Sequence, residues 1–143
     1  MAAPRQHPGT VNERVRRRAI LGILALTWLA GLADQVLVVL NRATWHRPGD
    51  VLNSGLPFAV GYGSAGALIL VRRPRHAVGR TAMYLGVIAV ISMLCGDYAV
   101  YSRMVSHVTL PFDRAAAWIA QWSFYTAFPS AAAMMFLFFP TMK

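Results

Sequence analysis

AILGILALTWLAGLADQVLVVL, residues 19–40, governs the reading of this chain. At 1.5 Å of rise per residue, a helix of this stretch reaches about 33 Å, enough to cross a hydrocarbon core of ~30 Å. Arg14, Arg16, Arg17 and Arg18 stand immediately before it. An apolar run with a basic flank reads as a membrane-spanning helix whose N-terminal side faces the cytoplasm. A cleaved signal peptide is the rival, with Gly31 and Ala33 as the small residues of a cleavage site. Against it, apolar sequence resumes after Asp34 and Gln35 and continues to Leu40.

The rest of the 143 residues repeats this pattern, and composition agrees. Apolar residues make up 57% and charged residues 13%, where soluble domains average ~45–50% and ~25%. So small a soluble domain lacks the charged skin it needs in water. Further spans are expected at 56–71, 82–101 and 115–139, joined by polar segments at 41–51, 72–80 and 102–114. Residues 1–18 read as a disordered basic tail, and 141–143 as a short cytoplasmic end. The fold class is therefore all-α, a polytopic bundle of four antiparallel transmembrane helices over residues 19–140. In the second span, Ala59, Gly63 and Ala67 recur every fourth residue, a seam that lets helices approach closely. Asn53 and Ser54 are cap candidates before it, and Pro57 fits a first helical turn.

The net charge of +9, from 14 basic and 5 acidic residues, invites a nucleic-acid partner. The arginines instead gather at the edges of apolar runs, where anionic lipid headgroups are the natural partner. Arg5, Arg14, Arg16, Arg17, Arg18, Arg72, Arg73, Arg75, Arg80 and Lys143 fall on one side of the expected bundle. Arg42, Arg47, Arg103 and Arg114 fall on the other. Ten against four places both termini in the cytoplasm of a multi-pass cell-membrane protein. Trp45, Tyr98, Tyr101 and Trp118 then lie near the outer interface.

Catalytic, cofactor and metal signatures are not found in the sequence. The single cysteine, Cys95, sits in an apolar run and reads as a small packing residue. His7, His46, His76 and His107 lack metal-ligand spacing, and no phosphate loop, nucleophile elbow or paired-histidine motif occurs. The expectation is a protein that is not an enzyme and carries no cofactor.

Polar residues within the spans are the candidates for function. A carboxylate in hydrocarbon costs several kcal/mol and must face protein or water, or be neutral. Asp34 and Asp97 are the acidic residues inside the expected spans, about 9 and about 6 Å from the outer surface. With Gln35, Tyr62 and Gln121 they form an expected polar layer in the outer half of the bundle. Two carboxylates brought together hold one proton between them, which makes a proton- or cation-responsive site. The plainer alternative is that each aspartate reaches the headgroup zone or caps a helix end. Pro129, flanked by Thr126 and Ser130, is a candidate hinge: it removes one backbone donor and crowds the carbonyl of Tyr125. Trp118, Trp122, Phe124, Tyr125 and Phe128 offer either a cage for a cation or, more simply, a packing face.

From residue 72 onward the text resembles a known family. The pattern consists of Arg72-Arg73-Pro74-Arg75, Val78-Gly79, Tyr98-Ala99-Val100-Tyr101 and Ala116-Ala117-Trp118-Ile119, then Trp122, Pro129 and Leu137-Phe138-Phe139-Pro140. It is similar to the N-terminal multi-helix membrane region of sensor histidine kinases from high-GC Gram-positive bacteria. The resemblance covers residues 72–140, about half the chain. His76-Ala77 stand where Asn-Pro is expected, Arg80 where an aromatic is usual, and Thr141-Met142-Lys143 where the family continues Asp-Gly-Arg. It implies a sensor-type membrane module without transmitter domains, either stand-alone or a truncated relative, paired with itself or with a separate signalling partner. The alternatives are a small proton-coupled transporter using Asp34, and a structural subunit of a membrane complex.

Overall fold

The computed structural model describes residues 9–44, 54–106, 108 and 110–138, which form helices and short connections with no strand among them. Helix α1 spans Gly9–Leu40 and tightens into a 3-10 turn at Asn41–Thr44. Helix α2, Leu56–Arg72, widens to π geometry over Ala59–Gly63. Helix α3, Ala77–Val105, ends in a second π segment, Tyr101–Val105. Helix α4 spans Asp113–Phe138. The chain is all-α. By length and apolar character, α1 with its terminal turn and α3 suffice to cross a membrane, whereas α2 is apolar but shorter.

Two expectations are corrected at the helix starts. The basic segment 9–18 is not a disordered tail but the first turns of α1. Its arginines are good helix formers continuous with a long apolar helix, so extending the helix adds a hydrogen bond per residue without a new nucleus. Glu13 and Arg16, one turn apart, pair at 3.6 Å along it. Ser54 does not cap α2, whose N-cap residue is Gly55. Asn53, the other cap candidate, lies outside the described residues, as do residues 1–8, Trp45 and residues 139–143.

Helix α3 is the hub: α1 and α2 pack on one part of it and α4 runs along another. Helices consecutive in the chain run antiparallel, which leaves α1 and α3 parallel, and small residues set how closely they approach. A Cβ on Gly86 would stand 2.6 Å from the Gly63 nitrogen, and one on Gly66 would stand 2.4 Å from the Met83 nitrogen. A Cβ on Gly31 would stand 3.3 Å from that of Ala59. The seam of Ala59, Gly63 and Ala67 is buried, with the π turn carrying Ala59 towards α1 and Gly63 between α1 and α3. Ser92 Oγ donates to the Ala120 carbonyl at 2.9 Å and ties α3 to α4.

The interior combines small and polar residues with a few larger apolar ones, Val38, Leu70, Met83, Leu85 and Val90, and many large apolar side chains lie outside. Buried positions include Ala59, Ala67, Ala82 and Ala89 together with Thr27, Asp34, Asn41, Ser54, Thr81, Ser92 and Ser102. Leu26 is 67% exposed, and Leu29, Leu32, Val36, Trp118, Trp122 and Tyr125 also point outward. Soluble domains place such residues the other way round.

Candidate functional site

The site starts from a stripe on α1. Thr27, Gly31, Asp34, Val38 and Asn41 are all buried, at alternating spacings of four and three that keep them on one helical face. Asp34 is 0% exposed. Its Oδ2 accepts a hydrogen bond from the Gly55 backbone N–H at 2.5 Å. That donor is one of the orphan amides at the start of α2, so the carboxylate does the capping that Ser54 does not. Gly55 is needed for the approach: a Cβ there would lie 3.0 Å from the Val90 Cα and 3.4 Å from Asp34 Oδ2. Beside it, Ser54 Oγ donates to Gln35 Oε1 at 2.7 Å.

Asp97 on α3 faces this group. Its carboxyl lies within side-chain hydrogen-bond reach of both Asp34 and Asn41. Asn41 is 2% exposed, and its Nδ2 donates to the Asp97 carbonyl at 3.0 Å. Two ionised carboxylates offer acceptors alone, so bringing them together requires a proton or a cation between them. Two buried oxygens, Asp34 Oδ1 and Asn41 Oδ1, have no donor among the described residues.

A groove of about 510 Å³ between α3 and α4 leads to Asp97. Gln121, Phe124, Tyr125 and Arg103 line it as well. Arg103 is held by Asp113 at 2.9 Å, and its guanidinium keeps the Asp113 carboxyl below the usual carboxylate range. The connection from α3 to α4 is fastened around this pair. Tyr98 Oη donates to the Pro111 carbonyl at 2.8 Å, and Ser102 Oγ accepts from the Leu110 N–H at 2.9 Å. Phe112 takes a left-handed φ of 65° at the turn.

No protein family, curated protein or solved structure matches this chain. The functional reading therefore stands on this geometry.

Of the expected polar layer, Asp34 and Asp97 meet directly, Gln35 joins them through Ser54, and Gln121 opens onto the same groove. Tyr62 is a correction: it is 44% exposed and stacks on Phe58 at 6.1 Å instead of facing the pair. The π turn rotates the following residues, so Gly63 takes the interior and Tyr62 the outside. Asn41, Ser54 and Gly55 were not in the expected layer. Asn41 carried a readable signal, since it lies seven residues after Asp34 and so two turns along the same face.

At the other candidate positions, α4 continues through Pro129 to Phe138. Thr126 Oγ1 donates to the Trp122 carbonyl and Ser130 Oγ to the Thr126 carbonyl, rather than to that of Tyr125. Trp118 and Trp122 lie 6.0 Å apart, both facing outward, and form no closed cage among the described side chains. Cys95 is a half-buried free thiol. At the far end of the bundle, Arg16 of α1 lines one hollow with Arg73, Arg75 and His76, and Arg14 and Arg17 line another with Val71. Arg18, Arg72 and Arg80 are exposed near them. Two basic segments distant in sequence thus share one end.

Proposed function

We propose that this chain is a non-enzymatic, four-span integral membrane module of the sensor type, and that the Asp34–Asp97 pair is its responsive element. The carrying observation is the fully buried Asp34 with Asp97 beside it, linking α1 to α3. Buried carboxylates are costly, and inside a membrane they mark places where protons or ions act. A proton between the two carboxyls holds the helices together, and its loss sets like charges against each other. The pair thereby converts ionisation into a change of helix arrangement, which population shift passes along the bundle.

The membrane setting is supported by the many large apolar side chains left exposed, Leu, Val and Trp among them, around an interior rich in small and polar residues. Two helices satisfy the length and hydropathy of a span. Helix α4, with 26 residues, has no charged residue after Asp113 and Arg114. The basic end formed by α1 and the α2–α3 turn fits the cytoplasmic face and its anionic headgroups. Both termini are then cytoplasmic. The likeness of residues 72–140 to sensor-kinase membrane regions agrees with this role. A transporter using Asp34 is less favoured, because Asp34 is sealed beneath Gly55 and Val90 while the groove reaches Asp97.

The test uses the protein in lipid nanodiscs, with its tryptophans as reporters. Trp28 bonds to Ser64 across α1 and α2, and Trp118 and Trp122 report from α4. Fluorescence of the wild type should change with pH, and Asp34→Asn and Asp97→Asn should each lose that change while remaining helical. A wild-type signal that is flat across pH, or variants that titrate like the wild type, would refute the proposal.

A further inference from the structure

The basic end of the bundle is shaped as well as charged. Two hollows there share Arg16. One, of about 340 Å³, is lined by Arg14, Arg16 and Arg17 of α1 together with Ile20 and Val71. The other, of about 570 Å³, is lined by Arg16 again with Arg73, Arg75 and His76 of the α2–α3 turn. The two together present five arginines and one acid, Glu13. Glu13 and Arg16 are both exposed and 3.6 Å apart, so their pairing holds Arg16 only weakly. At the second hollow α3 begins after His76, with no side-chain cap and no acidic residue in its first turn. The positive end of that helix adds to the charge of the arginines.

We propose that the two hollows together hold the headgroup of one anionic membrane lipid that bears two phosphates, one in each hollow, with Arg16 reaching both. This rests on the membrane setting and orientation given above, and names a specific lipid partner for the cytoplasmic end.

Three features select this occupant. Guanidinium groups meet phosphate oxygens through paired N–H donors, and each hollow supplies three arginines for the purpose. The first hollow also changes character along its wall. The apolar run of α1 begins directly after Arg18 and that of α2 ends at Val71, and Ile20 packs on the core cluster of Ala67, Leu70 and Met83. A charged hollow that passes into apolar wall fits a phosphate joined to acyl chains better than a free phosphate. Finally, two phosphates on one short linker make the second contact intramolecular, so one such lipid binds more tightly than two separate headgroups. Basic pockets between helices at the cytoplasmic side suit headgroups of this kind. Once bound, the lipid ties the start of α1 to the α2–α3 turn.

The experiment follows lipid binding to the whole protein in detergent micelles, by native mass spectrometry and by thermal unfolding. The probes are diphosphatidylglycerol, phosphatidylglycerol at matched phosphate, phosphatidylcholine and inorganic pyrophosphate. Diphosphatidylglycerol should bind one to a protein, at least about tenfold more tightly than phosphatidylglycerol, and should raise the unfolding temperature. Phosphatidylcholine and pyrophosphate should do neither. Arg73→Gln with Arg75→Gln should abolish the preference for two phosphates. Arg18→Gln with Arg80→Gln removes the same charge outside the hollows and should keep it. If the first double variant does not fold, the wild-type lipid series decides alone. Equal binding of phosphatidylglycerol overturns the two-phosphate site, equal binding of pyrophosphate overturns the lipid, and equal loss in both double variants reduces the site to a diffuse basic surface. A chain that is folded and monodisperse in buffer without detergent removes the membrane reading itself. One that needs detergent yet shows no lipid preference removes this site alone.

Discussion

Alanine at Gly66 adds one carbon where α2 and α3 nearly touch. The new Cβ would stand 2.4 Å from the Met83 nitrogen, 2.8 Å from its Cα and 3.0 Å from the Gly79 carbonyl oxygen, whereas ordinary contact begins at 3.4 Å. All three obstacles are backbone atoms, so no side chain can swing aside. The helices must part by about 1 Å at this point, and overpacking of this kind typically costs ~1–3 kcal/mol. Each 1.4 kcal/mol is tenfold in an equilibrium constant, so the unfolding constant should rise about five- to about 150-fold. The assay is reversible unfolding in mixed micelles followed by circular dichroism. Gly22 on α1 supplies the control, since a Cβ there would meet nothing within 4 Å. Gly22→Ala should leave stability unchanged or raise it by up to ~1 kcal/mol through helix propensity. If Gly66→Ala is as stable as the wild type, or Gly22→Ala proves the more harmful change, the close α2–α3 packing is wrong.

Further outcomes follow from the site and its surroundings. Asp34→Ala leaves the buried Gly55 N–H without its acceptor and should cost ~1–3 kcal/mol more than Asp34→Asn, whose amide oxygen can still accept; chemical unfolding of the two variants decides this. Arg103 lowers the Asp113 carboxyl below its unfolded value, so that ion pair stabilises the fold above the ordinary aspartate range. Its contribution is lost as pH falls through the lowered value, and Asp113→Asn should flatten this acid-side slope in unfolding curves. In a Cys95→Ser background, cysteines at Arg17 and Arg75 should react with an impermeant thiol reagent from one side of sealed vesicles, and a cysteine at Arg103 from the other. Labelling of Arg17 and Arg75 from opposite faces would remove the shared basic end.

What was legible in the sequence was the kind of element and its rough extent. Residues 19–40 form a helix because an apolar run of that length with basic flanks has few other options, and the expected spans at 56–71 and 82–101 and the described residues of that at 115–139 lie on helices. The seam of Ala59, Gly63 and Ala67 was also visible, since only small residues at that spacing let two helix axes come close. Asp34 and Asp97 stood out because charge inside apolar sequence is expensive wherever it falls.

Tertiary structure alone decided which face of each helix turns inward. A helix apolar nearly all round has no amphipathic stripe to announce its buried side, so the inward row of Thr27, Asp34 and Asn41 emerges only when α3 is laid against it. The π turn at Ala59–Gly63 put Tyr62 outside, and no simple periodicity anticipates a register change within a helix. The meeting of Asp34 with Asp97 depends on residues 63 positions apart in the chain. Sequence sets what each segment prefers locally, while the distance between two segments is set by the packing of everything between them.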